Sequence, residues 1–289
     1  MNTILSISII VTGFTLFHCR PAADEVNIQN DRFKEEYSSK IAGINSSTLV
    51  QRFECPSNYA RNQVDKTSFE AWLRNVSLAD AGTSVRLFDG SLKQNQNIHA
   101  AVLTFDVGTA DLQQCADAVM RLRAEYLFQK KAYDSIVFTF TNGTKAYYSK
   151  WRDGYRANVS GNSVTWVKKV ARDTSYNCFR NYLNTVFMYC GTYSLSKELK
   201  AVSIHDIKGG DVFIHGGFPG HAMIVMDVAI HATTKKKIVM LAQSYMPAQD
   251  IHIVKNLSNT VMSPWYEMPE NGVLYTPEWT FNVADLKRF

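Results

Sequence analysis

The amino-acid sequence predicts an α+β fold, because its main helical segments come before a continuous series of strands. Residues 111–130 and about 175–189 carry apolar side chains at helical spacing. From residue 211 onward, short apolar runs follow one another with brief connections, which is typical of consecutive strands. Helices segregated from strands indicate an α+β rather than an alternating α/β architecture. With 289 residues, of which 46% are hydrophobic, the chain can bury a sizeable core.

Helix boundaries follow from capping signals. The predicted helices are residues 67–76, 111–130, about 175–189 and 194–199. In the second of these, Asp111 is a suitable N-terminal cap, and Gln114 three residues later completes a capping box. The third is expected to end near Gly191, because glycine is favoured at helix C-termini.

Strands and hairpins follow from alternating or continuous apolar runs that end at turn residues. The predicted strands are residues 100–107, 211–215, 221–230, 237–245 and 251–254, with hairpins within 135–149 and 158–169. Asn142-Gly143 is a typical hairpin turn. The last three strands are expected to form an antiparallel meander, and the aromatic tail after residue 264 to pack back on the domain.

The N-terminus carries the features of an export signal. Residues 4–17 form an apolar run of about fourteen residues, which is short for a membrane span and suits the core of a signal peptide. Leu16-Phe17-His18-Cys19 resembles a bacterial lipoprotein box, in which Cys19 becomes lipidated. We therefore predict an exported bacterial protein, located in the periplasm or anchored to the outer membrane. The predicted organisation is a signal peptide at 1–18, a tether at 19–47 and a single α+β domain at 48–289.

Composition argues against several classes of partner and cofactor. The net charge is +5 and the basic run is confined to Lys235-Lys236-Lys237, so nucleic acid is not an expected partner. No CxxC pair occurs, which excludes a zinc ribbon and a thioredoxin-type motif. One set of residues suggests a metal site: His205, Asp206, Asp211, His215 and His221. Its spacing fits no standard ligand pattern, so no metal and no other cofactor is expected.

Cys115 is the leading candidate for a nucleophile. It falls in the first turn of a predicted helix, where partial positive charge and free N–H groups lower the pKa of a thiol. Cys178, near another predicted helix start, is the competing nucleophile, and burial in the core is the alternative reading of Cys115. Cys178 and Cys190 would lie about 18 Å apart along one helix, which is too far for a disulfide.

His221 is the candidate general base. The glycine-rich segment 216–220 leads directly into it, at the start of a predicted strand. A hairpin tip at residues 231–237 predicts a register that places His221 opposite Gln243 or Ser244. The Gln243 amide could then orient the imidazole, as an asparagine does in papain-type enzymes.

An oxyanion hole is expected beside the nucleophile. It would use the backbone N–H of Cys115 and the side-chain amide of Gln114. Ser244 and Tyr245, which follow the third candidate residue, are further candidates for contacts with a substrate or an oxyanion.

Long stretches of the sequence resemble a bacterial domain-of-unknown-function family, number 4846. The resemblance is carried by residues 112–126 (LQQCADAVMRLRAEY), 210–214 (GDVFI), 219–222 (PGHA) and 243–252 (QSYMPAQDIH). It extends over nearly the whole mature chain and implies no activity.

A Gly-Asp strand and a Gly-His strand, preceded by a helix that begins near a cysteine, are similar to NlpC-type papain-like cell-wall peptidases. This more distant resemblance implies a papain-like α+β core, in which the helix that carries Cys115 packs on an antiparallel sheet. It also implies a triad of Cys115, His221 and Gln243 that cuts peptide amide bonds in peptidoglycan. This chain has Gln-Cys-Ala-Asp where those enzymes typically have Asp-Cys-Ser-Gly.

We therefore expect an exported cysteine hydrolase that cleaves amide bonds in cell-wall peptides. Its expected partners are peptidoglycan or a peptide substrate, and a membrane reached through the lipid on Cys19. Two alternatives remain open: a non-catalytic envelope protein that binds peptide or glycan in the same cleft, and a thioester acyltransferase on the same scaffold.

Overall fold

The computed structural model describes residues 47–289, which form an α+β fold with antiparallel strand pairs. The described residues belong to one compact unit. In this part of the chain, no helix is long and apolar enough to cross a membrane. The predicted signal peptide and Cys19 lie outside the described residues, as does the predicted tether except for Ser47.

Six α-helices occur within the described residues. They are α1 (Leu49–Arg52), α2 (Phe69–Arg74), α3 (Cys115–Gln129), α4 (Tyr148–Arg152), α5 (Tyr176–Tyr189) and α6 (Thr192–Glu198). Short 3-10 turns lie at Gln96–Ile98, Tyr133–Ser135, Ile204–Asp206 and Val283–Asp285.

Fifteen strands occur in the same part of the chain. The first eight are β1 (Tyr59–Arg61), β2 (His99–Val102), β3 (Val137–Thr139), β4 (Lys145–Tyr147), β5 (Tyr155–Ser160), β6 (Ser163–Lys168), β7 (Lys200–Ala201) and β8 (Val212–His215). The others are β9 (His221–His231), β10 (Lys237–Gln243), β11 (His252–Val254), β12 (Trp265–Glu267), β13 (Val273–Tyr275), β14 (Thr280–Asn282) and β15 (Leu286–Arg288).

The main sheet is built around β9 and β10. Nine strands of the described chain take part in it, in the order β2-β11-β10-β9-β8-β15-β7, while β1 also pairs with β9 and β12 with β10. Three separate hairpins, β3–β4, β5–β6 and β13–β14, surround it. The predicted meander is confirmed, because β9, β10 and β11 pair in sequence order. The tail packs back as predicted, through β12 and β15.

The main sheet is buried on both faces, which explains the unbroken apolar run of β9. Ala222 and Ile224 belong to an apolar cluster that includes the buried face of α3. Met223 and Val225 point to the other side and join a cluster that includes Phe281 of β14. Successive side chains of a strand alternate between faces, so β9 forms the centre of both clusters.

The start of α3 differs from the prediction. The helix begins at Cys115, with Gln114 as the extended N-terminal cap and Asp117 as the acidic residue of the capping box. Asp111 does not cap it, because its carboxylate accepts a hydrogen bond from the Ala248 N–H at 2.6 Å. Cys115 is therefore the first helical residue, where its own N–H has no intrahelical partner.

The helix α5 ends at Tyr189, as predicted, but Gly191 does not have the left-handed conformation of a glycine cap. Gly191 has a φ of 178°, an extended conformation, and it is the N-terminal residue that precedes α6. The last turn of α5 closes through the Cys190 N–H, which donates to the Val186 carbonyl at 2.8 Å. Because α6 starts immediately after Gly191, this glycine is the N-terminal cap of α6 and not the C-terminal cap of α5.

The register between β9 and β10 was predicted wrongly. Ala242 faces Ile224, beyond a bulge in β9 where Met226 is the extra residue. Extending this register beyond the end of β10 places Tyr245 opposite His221. The predicted register had placed Gln243 or Ser244 there. The offset from the predicted register is already present beside the turn, where Lys237 faces Ile230, and the bulge reduces this offset by one residue.

A buried ion-pair network fixes the middle of β9. The Asp227 carboxylate, which is 0% exposed, accepts hydrogen bonds from Arg61 Nε at 2.5 Å and Arg74 Nε at 2.6 Å. It also accepts the backbone N–H of Val228 at 2.8 Å. These contacts join β1 and α2 to the central strand, and they occupy Asp227 with a structural role far along β9 from His221.

Candidate functional site

Cys115 lies at the N-terminus of α3, with its thiol against the start of β9. The helix begins there because Gln114 is extended, and the Gln114 N–H donates to Asp117 Oδ2 at 3.0 Å. The backbone N–H of Ala222 lies near enough to the Cys115 sulfur to lower the pKa of the thiol. The thiol is therefore near the backbone of the residue that follows His221.

The pKa of Cys115 shifts in the direction opposite to the sequence-based expectation. Burial raises the pKa of this thiol to about 11, and the carboxyl of Asp117 acts in the same direction. The N–H groups of Ala222 and Ala116 lower the pKa, but by less. Desolvation thus outweighs the helix terminus, and the free protein carries a neutral thiol at pH 7.

His221 and Gln243 are in direct contact, as predicted, although the register that led to the prediction was wrong. His221 Nε2 lies 2.8 Å from Gln243 Oε1, and both side chains are buried. Burial lowers the pKa of His221 to about 4; the bond to Gln243 opposes this shift, and the charge of Lys93 adds to it. The imidazole is therefore neutral at pH 7, which is the form that can accept a proton.

Aromatic rings enclose the His221 imidazole. Its centroid lies 5.0 Å from Tyr245, 5.4 Å from Trp279 and 5.9 Å from Phe281. These neighbours leave His221 only 1% exposed. Phe281 belongs to the apolar cluster on the sheet face opposite α3. At the start of β9, the Cys115 thiol thus lies on the α3 side of the sheet and the His221 imidazole on the opposite side.

Two of the predicted oxyanion or substrate contacts are engaged in other bonds. Gln114 Nε2 donates to Asp111 Oδ1 at 3.0 Å. Ser244 is fully buried, and its Oγ lies 2.8 Å from the carbonyl oxygens of Gln113 and Gln249. The Ser244 hydroxyl therefore ties the loop after β10 to the segment that precedes α3.

Tyr245 lies close to both Cys115 and His221. Burial raises the pKa of its phenol, and the nearby charges of Glu278 and Cys115 act in the same direction. Lys93 Nζ lies 5.2 Å from the centroid of the ring. Among the three additional candidates, Tyr245 is the one whose interactions with Cys115 and His221 place it beside the proposed catalytic groups.

Sequence reasoning missed three polar residues that surround the Gln243 amide. Glu278 Oε2 accepts a hydrogen bond from Gln243 Nε2 at 2.6 Å, and Glu278 Oε1 lies 2.7 Å from Lys93 Nζ. His252 Nε2 lies 3.3 Å from Gln243 Nε2. These residues come from separate segments, so no spacing rule links them. The one available signal was a carboxylate next to a tryptophan in the tail, in Pro277-Glu278-Trp279.

The other candidate cysteines lie in structural positions. Cys178 is 2% exposed in the apolar core, and Cys190 Sγ donates to the Thr139 carbonyl at 3.3 Å. Burial raises the pKa of both thiols. Within residues 47–289, no group of three or more His, Cys, Asp or Glu side chains is placed to hold a metal ion. Asp211, which belongs to the set considered for a metal site, forms a two-contact ion pair with Arg288, at 2.6 and 2.8 Å.

The folded protein is expected to lose stability as the pH falls from about 6.5 towards 4. Burial lowers the pKa of His221 to about 4 and that of His252 to about 3, whereas histidines of the unfolded chain titrate near 6.5. The unfolded chain binds more protons in this range, so the stabilisation is complete above about 6.5 and is lost towards the folded pKa values. The expected loss is on the order of several kcal/mol, measured by urea unfolding at a series of pH values.

Two glutamine substitutions test the origin of this pH dependence. His252→Gln should reduce the slope of unfolding free energy against pH, because it removes one of the two buried groups. His205→Gln, at an exposed position, should leave the slope unchanged. Equal slopes in the two variants and the parent protein would contradict the assignment.

The fold and the site define an α+β protein with a cysteine at a helix N-terminus, close to a buried histidine–glutamine pair. The chain belongs to the family described as domain of unknown function 4846, whose model matches residues 49–288. The predicted family membership is therefore confirmed. No curated protein and no solved structure matches this chain.

Proposed function

We propose that this protein is an exported cysteine hydrolase that cleaves amide bonds in cell-wall peptides. Cys115 is the nucleophile, His221 the general base, and Gln243 the group that orients the imidazole. One observation carries the proposal: Cys115 begins α3 with its thiol near the backbone N–H of Ala222, and the preceding residue, His221, lies 2.8 Å from the Gln243 amide oxygen. A thiol, an imidazole and an orienting amide at one end of a sheet are the groups that acyl transfer requires.

The proposed reaction starts from a neutral thiol and a neutral imidazole. As Cys115 Sγ attacks the carbonyl carbon, the S–H proton passes to His221 and a C–S bond forms. The C–N bond then breaks, and His221 gives the proton to the leaving amine. Water, deprotonated by His221, attacks the thioester, releases the carboxylic acid and restores the thiol. Such proton transfer contributes about 10²–10⁴-fold to the rate.

Exposed apolar side chains near the site favour a peptide substrate. Phe218 is 90% exposed and lies three residues before His221, while Met246 is 66% exposed and lies three residues after Gln243. They belong to the loops that connect β8 to β9 and β10 to β11. Two such side chains beside one site suit contacts with an extended chain. The predicted export signal and the resemblance to papain-like cell-wall enzymes favour peptidoglycan peptides.

A second candidate function is favoured by the enclosure of His221. The imidazole is 1% exposed, and at the start of β9 it packs against Phe281 of the cluster on the sheet face opposite α3. In a non-catalytic envelope protein, this region would bind peptide or glycan through the exposed loops, and Cys115 would be a structural thiol.

Acetylation of Cys115 by p-nitrophenyl acetate tests the proposed function. Formation of the thioester releases p-nitrophenolate, and peptide mass spectrometry should locate a single acetyl group on Cys115. Incubation of peptidoglycan fragments with the parent protein should produce a new free amine on the fragments. If Cys115 remains unmodified between about pH 5 and 10, the hydrolase proposal is rejected in favour of binding. Diversion of the acetyl group to an added primary amine would indicate an acyltransferase.

A further inference from the structure

The turn between β13 and β14 brings a carboxylate to the Gln243 amide. Glu278 Oε2 lies 2.6 Å from Gln243 Nε2, and its other oxygen lies 2.7 Å from Lys93 Nζ. Lys93 is 8% exposed, so this is a mostly buried ion pair. An ionised carboxylate accepts hydrogen bonds and donates none. Glu278 can therefore face only the NH2 end of Gln243, and not its oxygen.

His252 restricts the same amide from a second side. His252 Nδ1 lies 2.9 Å from the Asp250 carbonyl oxygen, which accepts only, so Nδ1 carries a hydrogen. Burial lowers the pKa of His252 to about 3, so the ring is neutral and its Nε2 has a free lone pair. That nitrogen lies 3.3 Å from Gln243 Nε2 and accepts the second amide hydrogen.

The two contacts leave one orientation for Gln243 and one tautomer for His221. With both amide hydrogens directed to Glu278 and His252, Gln243 Oε1 must face His221. The oxygen lies 2.8 Å from His221 Nε2, so Nε2 carries the hydrogen. In a neutral imidazole, Nδ1 is then the nitrogen that can accept a proton.

We propose that Glu278, supported by Lys93, is a positioning residue that fixes the orientation of Gln243 and thereby keeps the basic lone pair of His221 on Nδ1. The effect on chemistry rests on the proposed function, whereas the choice of tautomer does not. A turn in the C-terminal segment, held by the Thr276 N–H to the Trp279 carbonyl at 3.0 Å, thus sets the protonation pattern of the base.

The substitution Glu278→Gln tests the proposal, because its neutral amide can also donate. Gln243 can then turn its oxygen towards residue 278 and its NH2 group towards His221, exchanging its 3.3 Å contact with His252 for the new bond to residue 278, and the hydrogen of His221 moves to Nδ1. Long-range ¹⁵N–¹H spectra of the imidazole should show the Nε2–H tautomer in the parent protein and a mixture in the variant. The rate at which p-nitrophenyl acetate acetylates Cys115 should fall about tenfold, which corresponds to an increase of about 1.4 kcal/mol in the activation free energy.

Glu267→Gln is the matched control, because Glu267 lies in β12, where its carboxylate contacts the Tyr59 hydroxyl. It should leave both the spectrum and the rate unchanged. Glu278→Met, which has a side chain of similar length and no strong hydrogen-bonding group, is the second variant if Glu278→Gln does not fold. It should also give a mixture of tautomers.

Each outcome is assigned to one conclusion. An unchanged Nε2–H tautomer in both Glu278 variants overturns the positioning role. A tautomer mixture together with slower acetylation supports it. A tautomer mixture in a protein whose parent form is never acetylated supports the positioning role and rejects the proposed hydrolase.

Discussion

Cys115→Ala is expected to abolish acetylation and turnover while leaving the fold intact. The sulfur forms the covalent bond in the proposed reaction, so its removal eliminates the thioester. The fold should persist because the capping box at the start of α3 uses the backbone and the side chains of Gln114 and Asp117, and not the thiol. Alanine also has a high helix propensity. Mass spectrometry of the acetyl adduct and circular dichroism measure the two effects.

Cys190→Ala is the matched control for this experiment. Cys190 is a partly buried thiol whose pKa is also raised by burial, but it contacts the Thr139 carbonyl and not β9. The control should retain acetylation at the rate of the parent protein. Two results would show that Cys115 is not the nucleophile. One is turnover by the Cys115→Ala variant, and the other is a loss of turnover in the Cys190→Ala variant alone.

Asp227→Asn is expected to lower the free energy of unfolding by about 3–5 kcal/mol. The carboxylate neutralises two guanidinium groups, Arg61 and Arg74, whose side chains are 18% and 9% exposed. The asparagine keeps the size of the side chain but leaves Arg61 without a counter-charge and Arg74 with only the longer contact to Glu70, at 3.4 Å. Because this network joins β1 and α2 to β9, the loss affects global unfolding, and urea denaturation measures it.

Asp153→Asn provides the comparison at the surface. Asp153 pairs with Arg172 at 3.2 Å, but the two side chains are 53% and 61% exposed. Exposed ion pairs contribute about 0–1 kcal/mol, so this variant should unfold close to the parent protein. Similar losses in the two variants would show that burial does not strengthen the Asp227 network.

Local patterns identified most elements of the described domain. The hairpin across Asn142-Gly143 pairs as predicted, with Val137 facing Tyr147. The helix predicted at 67–76 is present as α2, where Ser68 Oγ accepts the Ala71 N–H at 3.1 Å. These features depend on turn chemistry, capping and periodicity, which act over a few residues. The same local signals were insufficient at the start of α3, where Asp111 bonds to the distant Ala248 instead.

The candidate site was only partly accessible to sequence reasoning. Its proposed nucleophile, base and orienting amide could be selected from motif and residue type. The direction of the Cys115 pKa shift could not, because it depends on how much surrounding chain desolvates the thiol. Glu278 and His252 were missed because their relation to Gln243 exists only after separate segments meet.

The order of apolar and polar residues alone determined the α+β class, the antiparallel meander and membership of the family, because these depend on short-range periodicity and on long matching strings. Tertiary structure decided which ionisable groups are neutral and which hydrogen bonds each amide makes. Desolvation and long-range contacts arise only when the chain closes on itself, and they control both the Cys115 thiol and the His221 imidazole.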